Sequence, residues 1–349
     1  MKANHNILFD CEKMRHPNTG VFYFCLNLGQ ALQKAYNSAR EQLHFYTPQN
    51  QATAFGNEAS YVHHKSWHKF FNPAAGKMDV WHCTYQLSKY LPHNKKTKKI
   101  ITVHDLNFLV DNPENQQEQI KKIQSLIDRV DEIVCISEHT KRDVLNYLGT
   151  SNKPVSVIHN GGGVKEFAGF DAPVYKPSKP FIFSIGMFFA KKNFHVLPCL
   201  LKNNDYELII AGERRPDYEA KILEQAKLYN VSDRIKLIGK ISDQDKYWYY
   251  KNCLAFAFPS IAEGFGLPVV EAMHFGKPVF LSTHTSLPEI GGKEAFYFNS
   301  FDCDAMNTVF EQGLSQFNDE LSEKVKARSR EFTWEKAAEQ YLEIYRSFY

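Results

Sequence analysis

Short apolar runs alternate with helix-like segments along almost all of this 349-residue chain. That alternation limits the fold more than any other feature, because strand–helix repeats build parallel sheets covered by helices. In the first half the strand candidates are Ile7–Asp10, Leu43–Phe45, Val80–Cys83, Lys99–Val103, Glu132–Ser137 and Val155–His159. Helices are expected near Val21–Ala35, Glu114–Asp128 and Glu138–Leu148, the last with Ser137 as N-cap. In the second half the strands are Phe181–Ile185, Glu207–Ala211, Ile235–Ile238, Leu254–Phe258, Pro278–Leu281 and Ala295–Phe298. Helices near Asn193–Lys202, Asp217–Tyr229, Ser242–Lys251 and Leu267–Phe275 separate them. Between the halves, Val164 to Pro180 holds Pro173, Pro177 and Pro180 and reads as a linker. The expected divisions are a doubly wound domain at 1–165, a linker at 166–180, a second doubly wound domain at 181–331 and a closing helix at 332–349. Thr333 caps that helix, and Trp334, Ala337, Ala338, Tyr341, Ile344 and Tyr345 form its apolar stripe. Such halves bind ligands at the carboxyl ends of their strands, so the crevice is expected between them.

No run of about 18 apolar residues exists, so no membrane-spanning helix is expected. Ile7–Asp10 is too short an apolar stretch for a signal peptide. The seven cysteines are scattered without a Cys-x-x-Cys pair, which suits reduced thiols in a cytoplasmic protein. Net charge is +3, unevenly placed: residues 1–170 carry 20 Lys and Arg against 15 Asp and Glu. A mildly basic first half fits an anionic or membrane-associated partner at the inner face of a membrane. Two stretches concentrate it, Tyr61 to Phe71 and Asn94 to Lys99. No nucleic-acid-binding motif accompanies the charge.

Chemistry concentrates in Glu263-Gly264-Phe265-Gly266-Leu267-Pro268-Val269-Val270-Glu271-Ala272-Met273. Leu254–Phe258 before it reads as a buried strand, and Pro268 suits the first turn of a helix. A helix N-terminus offers free N–H groups and a positive dipole end to phosphate. Glu263 and Glu271, eight residues apart, can accept hydrogen bonds from sugar hydroxyls. Taken singly, they are equally a loop carboxylate and a first-turn acid. Gly186-Met187-Phe188-Phe189-Ala190-Lys191-Lys192-Asn193 follows another strand and brings two cations. Thr102-Val103-His104-Asp105 ends a strand of the first half, and Arg15-His16-Pro17-Asn18-Thr19-Gly20 leads into its first helix.

The string from Glu263 to Met273 resembles the E-x7-E signature of glycosyltransferase family 4, the large retaining GT-B family. The resemblance implies two Rossmann-like domains facing a central cleft, with the C-terminal helix crossing back to the first domain. It implies hexose transfer, with mannose favoured, from a nucleoside-diphosphate sugar to a glycan or lipid-linked acceptor in cell-surface polysaccharide synthesis. Glu263, Lys192 and His104 stand at the catalytic positions of that pattern. Gly20, Gly186, Lys191, Lys192, Gly239, Lys240, Glu263, Gly264, Phe265, Gly266, Leu267 and Glu271 stand at its donor-binding positions. Glu271 there holds ribose hydroxyls, and the end of Lys236–Ile241 reads the base. Lys191 and Met187 replace arginines of many members, and a lysine is a point charge where arginine is a fork. No cofactor and no metal is implied: Asp302-Cys303-Asp304 reads as a helix cap with a first-turn acid. Two other readings are a catalytically inactive sugar-nucleotide-binding relative and a Rossmann oxidoreductase. Against the oxidoreductase, no Gly-x-Gly-x-x-Gly follows the first strand of either half.

Overall fold

Every strand pair in the computed structural model is parallel, and the strands form two sheets. The described residues are 5–17, 19–111, 113–164 and 167–349. Met1–Asn4, Asn18 of the first loop, and Lys165 and Glu166 at the start of the proline-rich stretch lie outside them. Two units result, one of residues up to Gly161 plus Phe332–Tyr349, the other of Gly162–Glu331.

In the first unit the strands are β1 (His5–Asp10), β2 (Glu41–Thr47), β3 (Ser60–His63), β4 (Val80–Cys83), β5 (Lys98–Val103), β6 (Glu132–Cys135) and β7 (Val155–Val157). Their order is β3-β2-β1-β4-β5-β6-β7, which reverses direction between β1 and β4. The helices are α1 (Gly20–Ala35), α2 (Phe108–Asp111), α3 (Gln116–Ile127) and α4 (Glu138–Tyr147). The central strands are buried on both faces, which is why they read as unbroken apolar runs. β3 was not expected. It is an edge strand paired only with β2 and partly exposed, so Ser60-Tyr61-Val62-His63 needs no apolar run. The basic stretch from Tyr61 therefore begins as sheet. Likewise Lys98 and Lys99 belong to β5: Lys98 pairs with Asp131 at 2.9 Å and buried Lys99 donates to the Asn94 carbonyl.

The second unit holds β8 (Phe181–Ile185), β9 (Glu207–Ala211), β10 (Ile235–Gly239), β11 (Ala255–Phe258), β12 (Val279–Ser282) and β13 (Phe296–Phe298). Their order, β10-β9-β8-β11-β12-β13, reverses between β8 and β11. The helices are α5 (Pro216–Leu228), α6 (Asp243–Asn252), α7 (Leu267–His274), α8 (Leu287–Gly291), α9 (Cys303–Gln316) and α10 (Asp319–Ser329). The helix expected over Asn193–Lys202 is instead a 3-10 segment, Phe194–Leu201. Pro198 inside it has no N–H to give and disrupts an α-type ladder. From Phe167 on, the proline-rich stretch is bonded onto this unit. Val174 N–H donates to Asp245, Tyr175 N–H to the Tyr249 hydroxyl, and Ser178 and Lys179 N–H to Glu207.

The last helix, α11 (Trp334–Arg346), returns to the first unit and packs on α1. Thr333 caps it by accepting from Lys336 N–H. A Cβ on Gly161 would lie 2.2 Å from the Trp334 nitrogen, so glycine lets the chain leave the unit beside the point where it returns. Polar side chains fix the helix as well. Arg346 grips Glu41 through two nitrogens at 2.6 and 3.1 Å, Tyr341 bonds Thr102 at 2.9 Å, and Tyr345 bonds His82 Nδ1 at 2.6 Å. His82 Nε2 bonds Thr102 at 2.7 Å.

Burial, with the nearby His104 adding to it, pushes the His82 pKa down to about 3 from the ordinary 6.5. Between those values the unfolded chain takes a proton that the folded chain refuses, so stability falls as pH drops from 6.5 toward 3. At pH 5 the loss that His82 contributes is about 2 kcal/mol, at ~1.36 kcal/mol per unit below 6.5. Buried Asp10, whose pKa is raised to about 7, acts with the opposite sign over the same range, and buried His104 with the same sign, so the wild type alone does not isolate it. Urea unfolding of wild type and His82→Gln at pH 7 and pH 5 does: the change between the two pH values should differ between the proteins by about 2 kcal/mol, and equal changes would mean His82 contributes nothing to the acid sensitivity.

Candidate active site

In a doubly wound sheet the carboxyl ends of the two strands beside the reversal splay apart and leave a crevice. In the second unit those strands are β8 and β11, and the segments that follow them carry the lysine and glutamate motifs. The two segments are tied together. The Lys191 carbonyl accepts from Ile261 N–H at 2.8 Å and from Ser260 Oγ at 3.0 Å. A single 3-10 turn, Ala190–Lys192, ended by Asn193 in the left-handed region, turns Lys192 inward. Its Nζ meets Glu263 Oε1 at 2.5 Å and lies 5.0 Å from the Phe258 ring centre. Both side chains of the pair are about 14% and 13% exposed, so the charges are shielded but reachable. A Cβ on Gly186 would come within 3.3 Å of Lys192 Cε, so glycine makes room for the lysine stem.

The Glu263–Gly266 loop is held from the far side by the turn after β12. Glu263 N–H donates to Thr285 Oγ1 at 3.0 Å, and Ser286 Oγ donates to the carbonyls of Glu263 and Phe265 at 3.1 and 2.8 Å. Gly266, at φ 111°, reverses the chain into α7, and Leu267-Pro268 opens that helix without a side-chain cap. Thr285 and Ser286 were not singled out in the sequence. Their only trace there is a Ser/Thr cluster after a strand, which marks many turns.

Glu271 sits on α7 with both oxygens engaged. Lys246 of α6 donates to one at 2.9 Å and the Tyr250 hydroxyl to the other at 3.0 Å. Burial works against the Lys246 charge, but Glu271 at its side, helped by Tyr247 and Asp243, raises its pKa above the ordinary lysine value. A carboxylate has roughly four acceptor sites, so Glu271 keeps capacity for a ligand hydroxyl. Glycine also governs the ends of β8, β9 and β10. Gly212 N–H bonds the Gly239 carbonyl at 2.8 Å and Gly186 N–H the Ala211 carbonyl at 3.0 Å. Lys240 lies on the surface, paired with Glu213 at 2.9 Å. The segment after β9 adds cations that the sequence reading passed over. Arg215 stacks 4.2 Å over the Phe189 ring, and Arg214 lies near Gly239 and pairs with Glu219.

His104 and Gly20 belong to the first unit. His104 follows β5, buried against Phe24, whose ring meets it edge-on at 4.7 Å. Its Nε2 lies 2.7 Å from the Thr84 carbonyl, which only accepts, so Nε2 carries the proton and Nδ1 is the acceptor. Burial lowers its pKa against the opposing pull of that bond and of Asp105, so the ring is neutral at pH 7. Gly20 is the first residue of α1, capped by Thr19, and a Cβ there would meet nothing within 4 Å. The strand before it ends in buried Asp10, whose pKa burial and the neighbouring Glu12 raise to about 7.

Asp302 caps α9 through Oδ1, accepting from Asp304 and Ala305 N–H at 3.1 Å each, while Asp304 faces Lys202 at 3.5 Å. Among the described residues no group of three His, Cys, Asp or Glu side chains is arranged to hold a metal.

Two doubly wound parallel sheets, with a cation and a carboxylate joined at the switch point of the second, define the GT-B class. Residues 170–332 match the glycosyl transferases group 1 family and residues 67–161 match glycosyltransferase family 4. The chain belongs to these group 1, family 4 glycosyltransferases. It is 31% identical over 271 residues to the serotype-specific mannosyltransferase WbdA of Escherichia coli, covering 70% of this chain and 33% of that protein. It therefore spans about a third of that relative's length. It is 24% identical over 278 residues to the O-antigen chain mannosyltransferase B of Escherichia coli, covering 74% of this chain and 72% of the relative. Among solved structures, sucrose-phosphate synthase from Thermosynechococcus elongatus shares the fold over 99% of both chains, with a TM-score of 0.77 at 18% identity.

Proposed function

We propose that this protein is a retaining hexosyltransferase that moves mannose from a nucleoside-diphosphate sugar to a glycan or lipid-linked acceptor, in the synthesis of a surface polysaccharide. The observation that carries the reading is the Lys192–Glu263 pair at the switch point, next to the N-terminus of α7. As the bond from sugar C1 to the diphosphate breaks, the electron pair stays on the departing oxygen. A fixed ammonium and a helix N-terminus stabilise that charge. Glu263, released from Lys192 by the diphosphate, accepts from sugar hydroxyls. Glu271 holds the ribose, and neutral His104 accepts from a hydroxyl through Nδ1. Mannose is favoured by the two mannosyltransferase relatives. Lys191, Lys192 and the helix end supply the positive charge without a metal. The acceptor side is taken to be cytoplasmic, and no helix among the described residues is long and apolar enough to cross a membrane.

Thermal-shift titration with GDP-mannose, UDP-glucose, ADP-glucose and TDP-glucose tests the donor, since a ligand bound to the folded state raises apparent stability. A transfer assay with GDP-mannose in EDTA tests the rest. No shift with any nucleotide sugar would refute the donor site, and activity lost to EDTA and restored by Mg²⁺ would refute metal independence. A clear shift without transfer would favour the inactive relative.

The two glutamates should separate. Glu263→Ala should abolish most transfer while nucleoside-diphosphate affinity holds or improves, because Lys192 is freed for the phosphates. Glu271→Ala should weaken nucleotide binding on the order of tenfold to a hundredfold, the value of a hydrogen bond to a charged group. Calorimetry with the nucleoside diphosphate alone, beside the transfer assay, reads both. Identical profiles would defeat the division of roles.

A further inference from the structure

A cavity of about 260 Å³ opens on the second unit, between α6 and the segment 167–171. It shares no residue with the donor positions named above. Gln244, Tyr247, Trp248, Lys251 and Asn252 line it from α6. Steps of three, four, seven and eight from Gln244 put them on one helical face. Lys246 and Tyr250, which hold Glu271, lie on the adjoining face.

The rings of the cavity are held in place. Trp248 lies parallel to Phe181, with ring centres 6.2 Å apart, and its indole N–H donates to Asp171 at 3.1 Å. Lys176 holds the other Asp171 oxygen at 2.8 Å. The Tyr247 ring stacks with Phe167 at 6.0 Å, and its hydroxyl donates to the Gly163 carbonyl at 2.7 Å. Trp248, Phe167 and Phe275 stay part-exposed all the same. A fixed ring that still faces solvent has little rotamer freedom left to lose when a ligand covers it. At the rim, Gln244, Lys251 and Asn252 are exposed. Asn252 Nδ2 donates to the Trp248 carbonyl at 2.8 Å, which leaves its Oδ1 as an acceptor.

This chemistry selects the occupant. The carboxylate of the cavity is already paired, so a cationic ligand finds no free partner there. The single ammonium, Lys251, is a poor match for a diphosphate. A purely apolar ligand would leave the amide rim unmet. A pyranose ring answers both parts. Its C–H groups lie on the negative face of an aromatic ring, and its hydroxyls reach amide and ammonium groups at the edge.

We propose that this cavity binds a sugar ring of a neutral glycan chain, as a second saccharide site apart from the Lys192–Glu263 pair. It rests on the glycan-acceptor reading above for the source of the chain, but binding there needs no transfer. Calorimetry of the full chain tests it without donor, using neutral tetrasaccharides of α-mannose, α-glucose, β-glucose and β-galactose. The wild type should bind at least one of them. Trp248→Ala should weaken that binding on the order of tenfold to a hundredfold, as loss of a central aromatic anchor does. Gln244→Ala/Lys251→Ala alters only exposed side chains and should weaken it on the order of tenfold, the value of two hydrogen bonds. Nucleoside-diphosphate affinity should hold in both variants. If Trp248→Ala loses nucleotide and saccharide together, the ring serves the fold and the double variant decides. No binding of any tetrasaccharide, or undiminished binding by the double variant, would overturn the site. Cavity-dependent binding by a protein that transfers no sugar would sink the enzyme reading and leave this one standing, and transfer without such binding would do the reverse.

Discussion

Lys192→Ala should lower kcat on the order of 10²–10³, the usual loss when one preorganised stabilising group is removed. The ion pair adds a sharper test. Lys192 stands 2.5 Å from Glu263, so the single mutant loses a cation and also leaves a shielded carboxylate facing the incoming diphosphate. If the lysine served only to neutralise Glu263, Lys192→Ala/Glu263→Gln would recover the rate of Glu263→Gln alone. If it stabilises the leaving group, the double mutant should stay on the order of 10² below that reference. Single-turnover rates with saturating donor separate the cases, and a folded Lys192→Ala with wild-type kcat would take the lysine out of the mechanism.

Gly212→Ala should cost the second unit about 3 kcal/mol or more, combining strain at positive φ with forced overpacking. Gly212 has φ 138°, and an added Cβ would lie 1.8 Å from the Gly186 carbonyl oxygen. That obstacle is backbone, not a mobile side-chain end. The Gly186–Ala211 and Gly212–Gly239 hydrogen bonds hold both segments in place, so relief must part β8 from β9. The melting temperature should fall on the order of 10 °C for a unit of this size. Nucleotide affinity should fall with it, because Gly186 leads into the Lys192 turn. Gly20→Ala is the contrast: nothing lies within 4 Å of its Cβ, and its stability should be unchanged or slightly improved. A Gly212→Ala protein as stable as wild type would show that the strand ends yield where the packing says they cannot.

Local signals were legible along the chain. The buried strands announced themselves because both faces are covered. Ser137, Asp302 and Thr333 each cap the helix that follows them, since a short polar side chain reaches its own first-turn N–H groups, and Ser242, expected as the first residue of its helix, proves to be its cap. β3 escaped because an edge strand needs no apolar run. α10 escaped because it buries only Val325 and Ser329 and so has no apolar stripe to detect. The 3-10 segment at Phe194–Leu201 was read as a helix although Pro198 was in plain view.

What the sequence determined by itself was whatever depends on neighbours in the chain: the strand–helix alternation, the caps, and the residue types at the two motifs. The tertiary structure decided which distant residues answer one another. Lys192 and Glu263 are 71 positions apart and meet because β8 and β11 flank the reversal of one sheet. Glu271 finds Lys246 and Tyr250 because α7 lies against α6, and Glu263 is held by Thr285 and Ser286 from the turn after β12. Arg346 and Tyr345 tie the chain's end to Glu41 and His82, more than 260 positions earlier. Hydrogen bonds and ion pairs act over a few ångströms, and sheet order, not sequence distance, sets which groups come that close.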